Sequence, residues 1–417
     1  MRILPDDQAA LDHVAARETE IIDRAIRWCD LNSGSRNLEG LHRQLEGLEA
    51  EARRTLSCRI ERVPLADTIE VGDAGILTPQ TYSPALRLTM RPEAPTQVVL
   101  TGHYDTVYPA SSPFQSVTRR ADGALHGPGI ADMKGGISVI LAALEAFETH
   151  PARDAVGWTV LLSPDEEIGS LGSGPVLAEL GARGHLGLTY EPAMPDGALA
   201  GARKGSANWR LIVRGRSAHA GRAFNEGRNA VAGAAILGAA LHHLNGQRDG
   251  VTVNVAKITG GAPLNVVPDI AVIHLNARVP DKAAADWTAG QVAAIARDAP
   301  FEGLVLELHG GFTRPPKPVD ASQRALMDIV AQTGALLGQD IVFKSSGGVC
   351  EGNNLHAAGL PNIDTLGVRG GDIHSENEFA WPDSFVERAQ LSTLILVKVA
   401  SGEIDAQALK RLRLETL

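Results

Sequence analysis

Short apolar runs bounded by glycine and proline alternate with amphipathic stretches over the first half of the chain. Residues 97–102 (QVVLTG), 157–162 (GWTVLL) and 186–190 read as buried strands, and 58–64 and 86–91 as further strands. A 3.6-residue period predicts helices over 7–30, 38–54, 135–149 and 171–180. Strands alternating with helices predict an α/β fold: a mixed, largely parallel sheet flanked by helices. Ligands of such sheets gather where strands end at their carboxyl side.

The pattern then changes. A strand at 208–214, a helix at 226–245, strands at 251–258 and 270–278, a helix at 281–297 and a strand at 304–309 give the order β-α-β-β-α-β. That order predicts an inserted ferredoxin-like α+β domain. Gly201 and the cluster Pro315, Pro316, Pro318 bracket it, so the expected division is 1–200 with 316–417, and 201–315 inserted. The first pattern resumes with a helix at 321–337, a strand at 340–344, a helix at 351–358, a strand at 362–366 and a helix at 383–401. The length of 417 residues suits two domains.

Charge narrows the partners. Lys and Arg number 39 against 49 Asp and Glu, a net charge of −10, which argues against nucleic acid. The longest apolar run, 231–241, is too short to cross a bilayer, so no membrane partner is expected. Cys29, Cys58 and Cys350 are scattered and form no CxxC pair. The first residues lack an apolar secretory core, and the expected location is the cytoplasm.

Five metal-binding side chains lie in loops around strand ends: His103 in TGHYDTVYP, Asp132 in GPGIADMKGG, Glu167 in SPDEEIGS, Glu191 in TYEP and His374 in GGDIHSENE. Two imidazoles and three carboxylates suit a two-zinc centre with one shared carboxylate, and Co²⁺ or Mn²⁺ would suit similar ligands. Three carboxylates and one hydroxide cancel the four positive charges. Asp105 lies two residues from His103, on the same face of extended chain, where it can orient that imidazole. Glu166, beside Glu167, is placed to be a general base. Each piece alone also reads blandly: HxD as a turn with a cap, DEE as an exposed acidic pair, Lys134 as a surface cation. The set of five, in this order, is what points to metal. HExxH, the P-loop and GxSxG are absent.

These segments resemble the zinc metallopeptidases that include glutamate carboxypeptidase, acetylornithine deacetylase, succinyl-diaminopimelate desuccinylase and aminoacylase. HYDTVYP and GPGIAD are most similar to the carboxypeptidase G type. The resemblance implies a zinc exopeptidase-like catalytic domain with an inserted lid and dimerisation domain, and two Zn²⁺ per subunit. One ion would take His103, Asp132 and Glu191, the other Asp132, Glu167 and His374, with Glu166 as base. It further implies that His219 in SAHAG polarises the substrate carbonyl, reaching the partner subunit's site in a homodimer. Asn265 and Arg278 would hold the substrate carboxylate. Read alone, Arg278 is a surface ion pair at a strand end. One departure shows: SSGGVCEGNN carries Cys350 and Glu351 where such proteins have Thr or Ser and Asp, near the substrate.

The expected activity is hydrolysis of the amide bond next to a C-terminal free amino acid, glutamate being one candidate, in dipeptides or N-acyl amino acids. Arg203, Lys204, Arg222 and Arg369 are either readers of a second carboxylate or ordinary surface cations. The alternatives are an N-acyl-amino-acid deacylase, a non-catalytic amino-acid or peptide binder, and a two-metal phosphatase, which would want cationic clamps the motifs do not supply.

Overall fold

The computed structural model describes residues 1–415. Its largest sheet has six strands in the order Arg59–Val63, Ala85–Met90, Val156–Ser163, Thr96–His103, Leu186–Thr189, Asn362–Ile363. The first two junctions are antiparallel and the other three parallel. Val98, Leu100, Val160 and Leu188 are fully buried, as a sheet covered on both faces requires. Helices Glu18–Cys29, Leu38–Thr55, Lys134–Phe147 and Asp383–Ala400 share the main apolar cluster with the sheet. On the other face Leu177, Leu180 and Leu355, from Gly174–Arg183 and Glu351–Ala357, pack on Val99 and Leu161.

A second sheet is antiparallel throughout, in the order Thr252–Gly260, Ile270–Val279, Gly205–Arg214, Val305–Arg314. Strand alternation sends Trp209, Leu211, Val213, Ile273 and Leu275 to one face. There they bury against Ala230–His242 and Lys282–Ile295 in an apolar cluster of their own. The opposite face carries Ser206, Asn208, Arg210 and Arg278 and lines a cleft against the first sheet. Where the chain passes between the two parts, Arg203 and Lys317 exchange backbone hydrogen bonds of 2.9 and 3.0 Å. Both side chains close on the buried Asp364, Arg203 at 2.8 Å and Lys317 at 2.7 Å.

Several elements differ from expectation. The helix over 7–30 is two helices, Pro5–Ala15 and Glu18–Cys29, because Arg17 between them leaves helical geometry. Strand 340–344 is shifted to Phe343–Ser346 and pairs with Leu199–Arg203, outside the large sheet. Strand 362–366 stops at Ile363, since Asp364 is drawn into the ion cluster and Thr365 takes φ +63°. A hairpin, Thr68–Val71 with Leu77–Gln80, was not expected at all. Its tip crosses to the second sheet, where Asp73 pairs with Lys257 and accepts a 2.7 Å hydrogen bond from Thr259. Gly75, at φ +66°, fits there because a side chain would meet Ile270 at 2.8 Å. A last helix, Ala406–Leu414, was also unforeseen.

Candidate metal centre

Parallel pairing of Thr96–His103 with its neighbours brings three strand ends together, which places His103, the Glu166–Glu167 turn and Glu191 side by side. Asp132 arrives on the loop before helix Lys134–Phe147. Gly136 lets that helix start close to the Glu191 strand, since a Cβ there would lie 2.2 Å from the Tyr190 carbonyl oxygen. His374 comes from the far end of the chain, in the left-handed region at φ +62°, a conformation that costs a residue with a side chain about 1 kcal/mol or more.

The ligand atoms form two triads, His103–Asp132–Glu191 and Asp132–Glu167–His374, each within 4.8 Å. His103 Nε2 lies 3.0 Å from Asp132 Oδ1 and 3.9 Å from Glu191 Oε2. His374 Nε2 lies 3.3 Å from Asp132 Oδ2 and 3.2 Å from Glu167 Oε2. Asp132 thus turns one oxygen to each triad. Asp105 sits behind, with Oδ1 3.3 Å from His103 Nδ1. Its carboxylate also accepts the backbone N–H groups of Glu166 and Glu167, both at 3.2 Å, so it holds the imidazole and the acidic turn together.

The electrostatics ask for positive charge. Burial pushes Glu191 up to about 7. Burial, and after it the Asp132 charge, push Glu167 well above the usual carboxylate range. Burial would also raise Asp132, but His103 and His374 hold it below that range. Burial disfavours a charged His103, yet hydrogen bonds to Asp105, Asp132 and Glu191 outweigh it and raise its pKa well above the ordinary value. Hydrogen bonds to Asp132 and Glu167 lift His374 to about 11. Glu167 Oε1 and Glu191 Oε1 are buried without hydrogen-bond partners. Tightly held protons and orphaned carboxylate oxygens at one spot fit a pair of divalent cations, which would displace the protons and take up the free oxygens.

The cleft above this centre encloses about 750 Å³. Arg278 lines it with Nη1 buried and unpartnered, while its Nε donates to Asn276 Oδ1 at 3.1 Å. Glu166 lines it too, with Oε1 paired to Arg314 at 2.6 Å. His219 and Asn265 do not line the cleft. His219 ends the short strand Ala218–His219, which pairs with Val266–Val267, and Asn265 lies in the turn just before that partner strand; Ala220 N donates to Asn265 O at 2.8 Å, and His219 is exposed.

Other expectations need correction. Lys134 is not a surface cation: it is buried, with Nζ on the carbonyls of Trp28 (3.0 Å) and Leu31 (2.8 Å). Ser346, Gly348 and Val349 of the SSGGVCEGNN loop line the cleft, while Cys350 and Glu351 themselves are buried, Glu351 hydrogen-bonded to Ser163. Arg203 is no surface cation: it is buried, pairs with Asp364 and lines the cleft, whereas Lys204 donates to the Gly250 carbonyl and Arg369 pairs with Asp383 and Glu387. Glu378 was missed. It lies four residues after His374, fully buried, and accepts the N–H groups of Gly129 (3.0 Å), Ala131 (2.9 Å) and Asp132 (2.9 Å). It also accepts the Tyr108 hydroxyl at 2.8 Å. Glu378 therefore shapes the loop that presents Asp132. Its only sequence signal is its place in HSENE.

Among the described residues no helix is long and apolar enough to cross a membrane, and the three cysteines are free.

The family model described as Peptidase family M20/M25/M40 matches residues 99–398. The chain is 28% identical over 319 residues to carboxypeptidase G2 of Pseudomonas sp. (strain RS-16), covering 73% of this chain and 74% of that protein. It is 27% identical over 332 residues to succinyl-diaminopimelate desuccinylase 1 of Alteromonas mediterranea, covering 73% and 83%. A tripeptidase from Staphylococcus aureus shares the fold with a TM-score of 0.68 and 21% identity, covering 92% of this chain and 99% of that one.

Proposed function

Because this chain belongs to peptidase family M20/M25/M40, we propose that it is a two-metal hydrolase that cuts the amide bond next to a free C-terminal amino acid, in dipeptides or N-acyl amino acids. The observation that carries this reading is the pair of ligand triads joined through Asp132. His103, Asp132 and Glu191 would hold one Zn²⁺, and Asp132, Glu167 and His374 the other, with Co²⁺ or Mn²⁺ as workable substitutes. When bound, such a pair polarises a carbonyl and acidifies water.

The chain's own groups do the rest. Arg278 offers its unpartnered Nη1 to the substrate carboxylate and so sets the scissile bond over Asp132. Glu166 takes a proton from the attacking water and passes it to the leaving nitrogen as the C–N bond breaks. Asp105 keeps His103 and the Glu166–Glu167 turn in register. We read 201–315 as an inserted lid whose polar sheet face closes the cleft and excludes water. His219 and Asn265, exposed on their loops, would serve the cleft of a second copy in a homodimer. The three free cysteines suit a reducing cytoplasm.

The similarity to a desuccinylase supports a second reading, an N-acyl-amino-acid deacylase that releases a small acid. A panel of dipeptides and N-acyl amino acids with varied acyl groups and varied leaving residues, glutamate included, separates the two. In the same panel Glu166→Gln should keep its metal and lose turnover by roughly 10²-fold or more. Full turnover by the metal-loaded variant would remove Glu166 from the mechanism.

A further inference from the structure

We propose that Arg314 is a positioning residue for this reaction: it pins one oxygen of Glu166 and leaves the other to carry the proton. The inference rests on the reading of Glu166 as the base. Arg314 Nη2 donates to Glu166 Oε1 at 2.6 Å and to the Glu166 carbonyl oxygen at 3.2 Å. Nη1 donates to Asn354 Oδ1 at 2.9 Å, and Asn354 is itself fixed by donating to the Thr313 carbonyl at 2.9 Å. The guanidinium is therefore clamped on both arms, 1% exposed. A carboxylate held by one oxygen has its second oxygen set by geometry, and Glu166 lines the cleft beside Asp132, Glu167 and Glu191.

Two further observations separate this pair from a merely structural one. The other buried carboxylate nearby, Glu351, is engaged with Ser163, while the guanidinium's hydrogen bond to a carboxylate goes to Glu166. Arg314 is also the last residue of strand Val305–Arg314, directly before Pro315 and Pro316. The base is thus oriented by a side chain from the exit strand of the second sheet, and the placement of that sheet and the aim of the carboxylate are linked. In the reaction one proton leaves the attacking water for the free oxygen of Glu166 while the O–C bond forms. The same proton passes to nitrogen as the C–N bond breaks. Arg314 exchanges no proton.

The test compares Arg314→Ala, Arg314→Lys, Glu166→Gln and the double variant Glu166→Gln/Arg314→Ala, all loaded with Zn²⁺. Readouts are kcat, KM, bound metal, thermal midpoint and response to added guanidinium. Arg314→Ala should lose about 10²-fold in kcat with KM changed less than about threefold, the cost expected of a misaimed group, and with wild-type metal content. Guanidinium should recover at least about fivefold of the loss, and Arg314→Lys should fall between Ala and wild type. In the Glu166→Gln background the arginine change should add almost nothing, since the two act as a unit. Multiplying losses in the double variant, a kcat within about twofold of wild type for Arg314→Ala, or a loss that follows metal content with no guanidinium rescue would each overturn the inference. If Arg314→Ala does not fold, the lysine variant decides alone: wild-type kcat overturns, a reduced kcat at unchanged KM and metal content supports. Full turnover by Glu166→Gln would instead sink the base assignment, a result distinct from all of these.

Discussion

Replacing Asp364 by asparagine removes the anion on which both chain crossings between the two sheets converge. Asp364 and Lys317 are fully buried and Arg203 nearly so, with contacts of 2.8 and 2.7 Å. Burial alone would raise the Asp364 pKa, but Arg203 and Lys317 pull it from 3.8 down to about 2. That difference corresponds to about 2 kcal/mol of folding stability near neutral pH. Deleting the charge costs more than this, because two buried cations lose their counter-ion, and breaking buried pairs in this way costs about 3–5 kcal/mol. The folded pKa lies below the unfolded one. The contribution is therefore complete above about pH 4 and disappears as pH falls through about 2. Urea unfolding of metal-free wild type and Asp364→Asn at several pH values measures it. The variant should be less stable by about 3–5 kcal/mol at pH 7, and the gap should narrow between about pH 4 and pH 2. A gap below about 0.5 kcal/mol at pH 7, or one that stays constant on acidification, would refute the reasoning.

Three more outcomes follow from the centre. Glu378→Ala frees the backbone N–H groups around Asp132. It should weaken Zn²⁺ binding by about 10–100-fold in a chelator competition; unchanged affinity would mean the loop holds its shape unaided. Arg278→Ala should reduce kcat/KM for substrates with a free C-terminal carboxylate by roughly 10–100-fold, the worth of one charged hydrogen bond. The same variant should spare substrates whose carboxylate is amidated. Calorimetric titration of metal-free protein with Zn²⁺ at pH 7, in two buffers of different ionisation enthalpy, should show proton release. Glu191 at about 7 and His374 at about 11 hold protons that a cation must displace, so affinity should rise with pH. Buffer-independent heats would contradict that.

The sequence made the strand-end chemistry readable because it is local. His103 and Glu191 follow apolar runs directly, and a parallel sheet brings such ends together whatever lies between them. The second sheet was readable for the same reason, since the alternation in 208–214 and 270–278 marks one covered and one open face. What stayed hidden depends on distant partners. Arg314 acquires its role from Glu166, 148 residues away, and Glu378 from an N–H group 246 residues away. Lys134 looked exposed because nothing near it in sequence foretells the carbonyls of Trp28 and Leu31. The hairpin Thr68–Val71 with Leu77–Gln80 has strands of only four residues and a proline inside the second, too little pattern to read. Strand 340–344 holds only three apolar residues in a row, Ile341 to Phe343, too short a run to fix its bounds or to say which neighbour it pairs with.

The proposed two-metal centre depends most on Asp132 sharing its two oxygens between two cations. Anomalous diffraction at the zinc edge from crystals of zinc-loaded protein tests this directly. It should show two peaks per chain, each about 2 Å from its ligand atoms. One should lie at His103, Glu191 and one Asp132 oxygen, the other at Glu167, His374 and the second Asp132 oxygen. A single peak, or two peaks that do not both touch Asp132, would contradict it.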